Sequence, residues 1–484
     1  MERKIIVGLE IHVQLDTRTK MFCGCGVEFG AAPNSRTCPV CLGMPGSLPV
    51  MNRQAVERAI LAAMALNCDI ARFTKWDRKS YYYPDLPKNY QISQYDLPLG
   101  SNGYIEIPTH GAEKKKVRIK RVHLEEDAGK NLHDAGNFSK VDLNRAGTPL
   151  LEIVTEPDLN AAGEVRALAE ELQRIVRYLN VSKGDMQKGH MRFEPNINLA
   201  LGEGGAEYKT PIAEIKNLNS FRALESSVAF EARRQLDEFL ETHVTFEKGN
   251  KSTRGWDDGR QRTVLQREKE EAEEYRYFPD PDLVPVELDE AWLKRIETRL
   301  CELPLQRQSR YVREYQLSDY DAGVLTAERS LSDYFDQAVD AGSAPKRLCN
   351  LVTQSGLKLA KEQACSFVEL RVSAERMARL VGMVESGDVG ATAADKILEE
   401  MTRCEERPEA IARRLNLLQQ SDESQLEDIV KTVIAENPET VEIAASGQKK
   451  AKKAFGYLMG QVMKKTGGTA NPKIASGILK TRIG

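Results

Sequence analysis

Val7-Gly8-Leu9-Glu10-Ile11-His12-Val13-Gln14-Leu15 alternates apolar and polar side chains with a period of two. That period belongs to a β-strand, whose successive side chains point to opposite faces. Leu9, Ile11, Val13 and Leu15 take one face, and Glu10, His12 and Gln14 take the other. A strand with one solvated face would read the same way. Two further stretches turn the reading toward chemistry. His123-Leu124-Glu125-Glu126-Asp127 ends a strand expected over residues 117–126 with three successive acids. Pro149-Leu150-Leu151-Glu152-Ile153-Val154 then sets one carboxylate inside an apolar run. A buried carboxylate is costly unless paired, so Glu152 needs a cation or a proton. Acids and a histidine gathered on a sheet suit Mg²⁺, a hard ion that prefers oxygen ligands. Such an ion offsets the charge of a phosphate in transfer.

Up to about residue 290 the pattern mixes strands, turns and a few helices. Strands are expected over residues 5–15, 117–126, 149–155, 196–201 and 211–216. Asn52 is placed to cap a helix running to about Asn67. Val165, Leu168, Leu172, Ile175, Val176 and Leu179 fall at helical spacing, and a further helix is expected over 220–241. Phe278-Pro279-Asp280-Pro281-Asp282-Leu283-Val284-Pro285 reads as a proline-stiffened connector. Beyond it helical spacing dominates, and Glu405-Glu406-Arg407-Pro408 interrupts it once. These shifts divide the chain into residues 1–290, 291–407 and 408–484, an α+β domain followed by two all-α ones.

The 484 residues carry a net charge of −3, which does not advertise a nucleic-acid partner, but the distribution does. From Ser446 to Gly484 there is no acid, against nine cations, including Lys449, Lys450, Lys452, Lys453, Lys464 and Lys465. That basic stretch is the candidate RNA-binding surface. No run of about 18 apolar residues suggests a membrane span. The N-terminus enters a strand too soon for a signal peptide, so a cytoplasmic protein is expected.

Four of the nine cysteines cluster: Cys23-Gly24-Cys25 and Cys38-Pro39-Val40-Cys41. Two close pairs across a turn-rich segment suit tetrahedral Zn²⁺, and four thiolates leave no open position, so the role is structural. Tyr81-Tyr82-Tyr83-Pro84-Asp85-Leu86-Pro87-Lys88 reads either as a loop packed on the core or as the lining of a nucleotide or acceptor-end pocket. No GxxxxGK[ST] occurs, and no GxGxxG follows a strand, so any ATP site lacks the P-loop and Rossmann fingerprints.

Further motifs run in order along the chain. They include Asp77-Arg78-Lys79-Ser80-Tyr81, Tyr90-Gln91-Ile92-Ser93-Gln94, Val141-Asp142-Leu143-Asn144-Arg145-Ala146-Gly147, Glu214-Ile215-Lys216-Asn217, Thr253-Arg254-Gly255-Trp256-Asp257 and Tyr275-Arg276-Tyr277-Phe278-Pro279. With Val7–Val13, His123–Lys130 and the tail string Gly460-Gln461-Val462-Met463-Lys464, this set resembles the B subunits of the aspartyl/glutamyl-tRNA amidotransferases. The resemblance implies a cradle-shaped catalytic domain of the glutamine synthetase and guanido kinase type, a helical domain, and a small YqeY-like tail domain. It implies ATP and Mg²⁺ on the cradle sheet, held by Glu10, His12, Glu125 or Glu126, and Glu152, with Lys79 as a phosphate contact; Lys88 and Arg145, basic residues nearby in sequence, are further candidates for binding the nucleotide. Strand alternation sets Glu125 with His123 and Asp127 and turns Glu126 away. It also implies two protein partners, an amidase (glutaminase) that is the complex's A subunit, and a small C subunit. Misacylated tRNA(Asn) or tRNA(Gln) is the implied RNA partner. The chain departs from the family pattern at Met191-Arg192-Phe193-Glu194-Pro195-Asn196, where Glu replaces an Asp and Pro removes a donor, and again at residues 342–349. A zinc-containing RNA-binding scaffold with merely structural carboxylates is the competing reading.

Overall fold

The computed structural model describes residues 2–109, 113–132, 136, 138–203, 206–247, 250–268, 275–419, 423–446, 450–466 and 470–483. The chain forms two compact units, Met1–Gln306 and Arg307–Gly484.

The first unit is a mixed α+β body around one ten-stranded sheet. Its central strand is Glu2–Gln14, flanked by Met191–Glu203 on one side and Pro149–Thr155 on the other, both antiparallel. Lys114–Glu126 and then Gly100–Pro108 extend the sheet beyond Pro149–Thr155. Ala213–Lys216, Ser252–Asp257 and Arg262–Glu268 extend it past Met191–Glu203, and among the described residues only the pair Ala213–Lys216 with Ser252–Asp257 is parallel. Leu9, Ile11 and Val13 are buried together with Val122, Leu124, Leu151 and Ile153, so one sheet face carries the core. The helices Arg53–Ala65 and Ala162–Tyr178 supply Ile60, Leu61, Leu168 and Leu172 to the same core. The Asn52 side chain accepts hydrogen bonds from the Gln54 and Ala55 N–H groups, which fixes where the first of these helices begins. The opposite face stays open, and it carries Glu10, His12 and Gln14.

Two expectations are revised. The strand expected over 196–201 spans Met191–Glu203. It stays in register through the pair Leu9–Pro195, although a proline inside a run ordinarily argues against a central strand. The proline connector is stitched into the first unit. Phe278–Pro279 pairs with Asp77–Ser80, Val286–Glu287 pairs with Phe73–Thr74, and Arg78 holds Asp280 at 2.7 Å and Asp282 at 3.0 Å.

The second unit is helical, with two separate cores. One gathers Tyr311, Phe335, Val352, Met377, Leu380 and Ile397, and the other Leu426, Val430, Val433, Leu458, Val462 and Leu479. Near the divergent stretch at 342–349 the helix widens to π geometry over Leu351–Gly356. Gly356 is required there, because a Cβ would lie 2.4 Å from the Phe367 ring.

Candidate active site

The site is built by strand register. His12 lies opposite Glu152 on one side and Arg192 on the other, and Glu152 lies opposite His123. Four strands thus set Arg192, His12, Glu152 and His123 in one row across the open face. Glu125, two residues past His123, completes the cluster. The His12 Nε2 is 3.7 Å from both Glu125 and Glu152 carboxylates, and the His123 Nε2 is 3.1 Å from Glu152. One donor atom from each of His12, Glu125 and Glu152 falls within 4.8 Å of the others. An octahedral ion about 2.1 Å from its ligands separates donors by roughly 3.0 Å (cis) to 4.2 Å (trans). The two 3.7 Å gaps lie in that window, so the three side chains fit a divalent cation.

Burial and mutual repulsion give the two carboxyls different characters. Burial and then the neighbouring Glu152 push Glu125 up to about 7, with Lys79 and His12 pulling against them. Burial also opposes the charge of Glu152, but His123, by charge and hydrogen bond, and then His12 and Lys79 hold it well below the usual carboxylate range. Without a metal ion the pair shares one negative charge and one proton near neutrality. A cation must displace that proton. Magnesium affinity is therefore expected to fall about tenfold per unit as pH drops below about 7, and to level off above it. Calorimetric titration at about pH 6, 7 and 8 measures this, with proton release at the lower values. Equal affinities at all three would remove Glu125 from the ligand set.

Lys79 lies within electrostatic reach of this cluster. Burial opposes its charge, yet Glu125 and, more weakly, Tyr277 and Glu152 raise its pKa above that of a free lysine. Its ammonium lies 5.0 Å from the Tyr275 ring centre. Tyr277 stacks on Tyr95 with centroids 4.1 Å apart.

The remaining candidates are distributed differently. Glu10 does not join His12 here; it faces Glu194 and Glu214, with its donor atom within 4.8 Å of theirs. Lys216 already serves that second group, 2.5 Å from Glu194 and 3.6 Å from Glu214. Glu126 turns to the other side of its strand, where it takes the Lys88 ammonium and the Ile92 N–H. Of the two adjacent acids it is thus Glu125 that meets His12 and Glu152, while Lys88 is committed to Glu126. Arg145 donates to the carbonyls of Ala128 and Gly129 at 2.9 and 2.6 Å, bracing the turn after the acid run. Beside it Asp127, buried, accepts from Gln14 and Arg192, each at 2.8 Å. His123, Arg192, Glu194, Glu214 and Lys216 were not among the sequence candidates. The signal for His123 was present, since it shares a strand face with Glu125 two residues on.

The four clustered cysteines converge, with all four sulfurs within 4.8 Å of one another. Cys38 and Cys41 Sγ are 3.9 Å apart, close to the roughly 3.8 Å edge of a tetrahedron with 2.3 Å zinc–sulfur bonds. A hydrogen bond from Cys23 lowers the Cys41 thiol to about 4 against the effect of burial, aided by the Cys38 N–H and the Lys20 ammonium. The donor set fits zinc, which would cross-link the two cysteine pairs.

In the tail, Lys450, Lys452 and Lys453 are exposed at the start of the helix Ala451–Lys465, and Lys464 and Lys465 are exposed at its end. Lys465 reaches Glu436 at 2.7 Å, and Lys449 lies outside the described residues. No helix among the described residues is long and apolar enough to cross a membrane.

An open, largely antiparallel sheet bearing clustered carboxylates and histidines beside a half-buried lysine defines a catalytic domain of the class described as GatB/GatE, and that family matches residues 5–294. A second match, to the GatB domain, covers residues 333–483. Chains named as the B subunit of aspartyl/glutamyl-tRNA(Asn/Gln) amidotransferase are similar over their whole length. That of Caldicellulosiruptor bescii is 44% identical over 487 residues, covering 100% of this chain and 99% of the relative. That of Carboxydothermus hydrogenoformans is 44% identical over 490 residues with the same coverage, and that of Treponema denticola is 41% identical over 488 residues, covering 100% and 98%. The chain belongs to the GatB family of amidotransferase B subunits.

Proposed function

We propose that this chain activates the side-chain carboxylate of Asp or Glu misacylated onto tRNA(Asn) or tRNA(Gln), using ATP, so that ammonia can amidate it. It acts as a carbon–nitrogen ligase with glutamine as the amide donor. The observation that carries the reading is the convergence of His12, Glu125 and Glu152, with the Lys79 charge coupled to both carboxyls.

A carboxylate is a poor electrophile, and phosphorylation turns one of its oxygens into a leaving group. The substrate oxygen bonds to the γ-phosphorus of ATP as the bond to the β-phosphate oxygen breaks, leaving ADP. Ammonia then bonds to the acyl carbon, and phosphate leaves with the surplus proton. Magnesium held by His12, Glu125 and Glu152, with Glu10 nearby on the same face, would offset the charge of the two anions that must meet. Lys79 stays protonated and presents its charge to the transferring phosphoryl group. His123 fixes the orientation of Glu152. The aromatic residues around Lys79 limit water at the acyl phosphate.

Ammonia comes from a partner glutaminase, the A subunit of the complex, which a small C subunit completes. Residues 1–290 form the catalytic cradle, 291–407 a helical domain, and 408–484 a YqeY-like tail whose lysines contact tRNA, all in the cytoplasm. The zinc at Cys23, Cys25, Cys38 and Cys41 is structural. The test uses the chain assembled with its partners. ATP should be cleaved to ADP only when a misacylated tRNA is present, with the amide appearing on the tRNA. ATP cleavage that ignores the tRNA, or amidation without ATP, overturns the reading.

A further inference from the structure

The open face of the strand Lys114–Glu126 does not stop at the carboxylates. Ile119 and Val122 both face the core although three residues apart, and the pairing with Pro149–Thr155 shifts at this point. The shift inserts one residue, Lys120, and keeps the strand's cations on the side of His123 and Glu125. Arg121 lies opposite Val154, two pairs along from Glu152–His123 and so on the same face. Arg118 lies opposite Tyr104, and Lys116 opposite Glu106. Read inward, the face carries Lys114, Lys116, Arg118, Arg121, His123 and Glu125. The first three and Lys120 are exposed, and Arg121 is half-buried.

Counter-charges answer only part of this row. Arg118 is held by Asp158 at 2.6 Å, and Lys114 is 3.8 Å from Glu106. Lys116 sits 3.4 Å from the Tyr104 ring centre. Among the described residues no carboxylate pairs with Lys120 or Arg121. At the inner end the Tyr95–Tyr277 stack lies open, Tyr95 being 46% exposed. Gln94, the residue before Tyr95, accepts from the Leu124 N–H at 2.9 Å, which sets the stack beside the inner end of this strand.

We propose that this face is a track for the single-stranded 3′ end of an RNA, with Lys116, Lys120 and Arg121 on successive phosphates and the tyrosine stack receiving a base. Cations along a groove with aromatic rings at its end are what a single strand requires. From Lys114 to Arg121 the track runs about 23 Å at roughly 3.3 Å per residue, enough for several nucleotides. It ends where a 3′-terminal acyl group would meet Glu125 and Glu152. The inference rests on the tRNA reading above and assigns it a surface separate from the tail lysines.

The test is the assembled complex carrying Lys116→Gln, Lys120→Gln and Arg121→Gln together. None of the three pairs with a carboxylate among the described residues, so no buried charge is orphaned. The KM for misacylated tRNA should rise about tenfold or more, while the KM for ATP stays put. The slope of log affinity against log salt for uncharged tRNA should flatten by about two units, at roughly 0.7 per lost phosphate contact. A tRNA trimmed of its single-stranded 3′ nucleotides should bind wild type and variant alike. Unchanged tRNA affinity and slope in an intact complex overturn the proposal, as does a matching rise in the KM for ATP. The binding arm needs no ATP, so it still reads the track if the phosphorylation chemistry fails.

Discussion

Glu152→Gln is expected to abolish ATP-dependent amidation, lowering kcat/KM by about a thousandfold or more, which corresponds to roughly 4 kcal/mol of transition-state stabilisation. Glu152 is the charged member of the buried pair, held ionised by His123, His12 and Lys79. Glutamine keeps the volume and an oxygen that can accept from His123 at the same place, so the strand and its core should survive. It removes the one negative charge that is present in the cluster whatever the state of Glu125. The remaining ligands are His12, which is neutral when it ligates, and a carboxyl that burial holds near neutrality. A divalent ion offered so little charge binds weakly, and Lys79 loses one of its counter-ions. Single-turnover assays with misacylated tRNA and saturating ATP measure the loss, and circular dichroism and complex assembly report the fold. A rate within about threefold of wild type would mean that the open face holds no catalytic cation.

The strand at Val7–Leu15 was legible because alternation is local: the apolar set is buried, and the polar set faces out. Glu152 was legible because a carboxylate inside an apolar run must have a partner. The partner itself was not legible. Which acids converge depends on which strands lie side by side, and that is set by pairing between residues far apart in sequence. Glu10 and His12 share a face, yet the neighbour of Glu10 is Glu194 while that of His12 across the other edge is Glu152. The proline segment at 278–285 failed for the same reason. Prolines mark local stiffness, but its partners are Asp77–Ser80 and Phe73–Thr74, far earlier in the sequence. Lys88 read as a nucleotide contact from sequence proximity alone, whereas its ammonium is already engaged by Glu126, which alternation turns away from the site. The basic row beyond His123 was hidden by one inserted residue, since strict alternation through Lys120 and Arg121 would have sent the outer cations to the core side.

Cys41→Ser should cost more than the loss of one metal ligand. Wild-type protein is expected to carry about one zinc per chain, and the variant little or none, since a serine hydroxyl is a poor replacement for a thiolate. The second cost comes from Lys20. Its side chain is fully buried, and its ammonium rests 3.5 Å from the Cys41 sulfur and 3.3 Å from the Leu143 carbonyl. A zinc ion with four thiolates bears a net charge of about −2, and Lys20 is the buried positive charge that answers it. Removing the thiolate leaves that ammonium with a carbonyl alone, a situation that typically costs about 3–5 kcal/mol. Lys20→Met in the Cys41→Ser background should therefore recover part of the lost stability without recovering zinc. Zinc analysis and denaturant unfolding of wild type, single and double variants separate the two costs. Full zinc content in Cys41→Ser, or a double variant less stable than the single one, would show that the cysteine cluster and Lys20 are not one electrostatic unit.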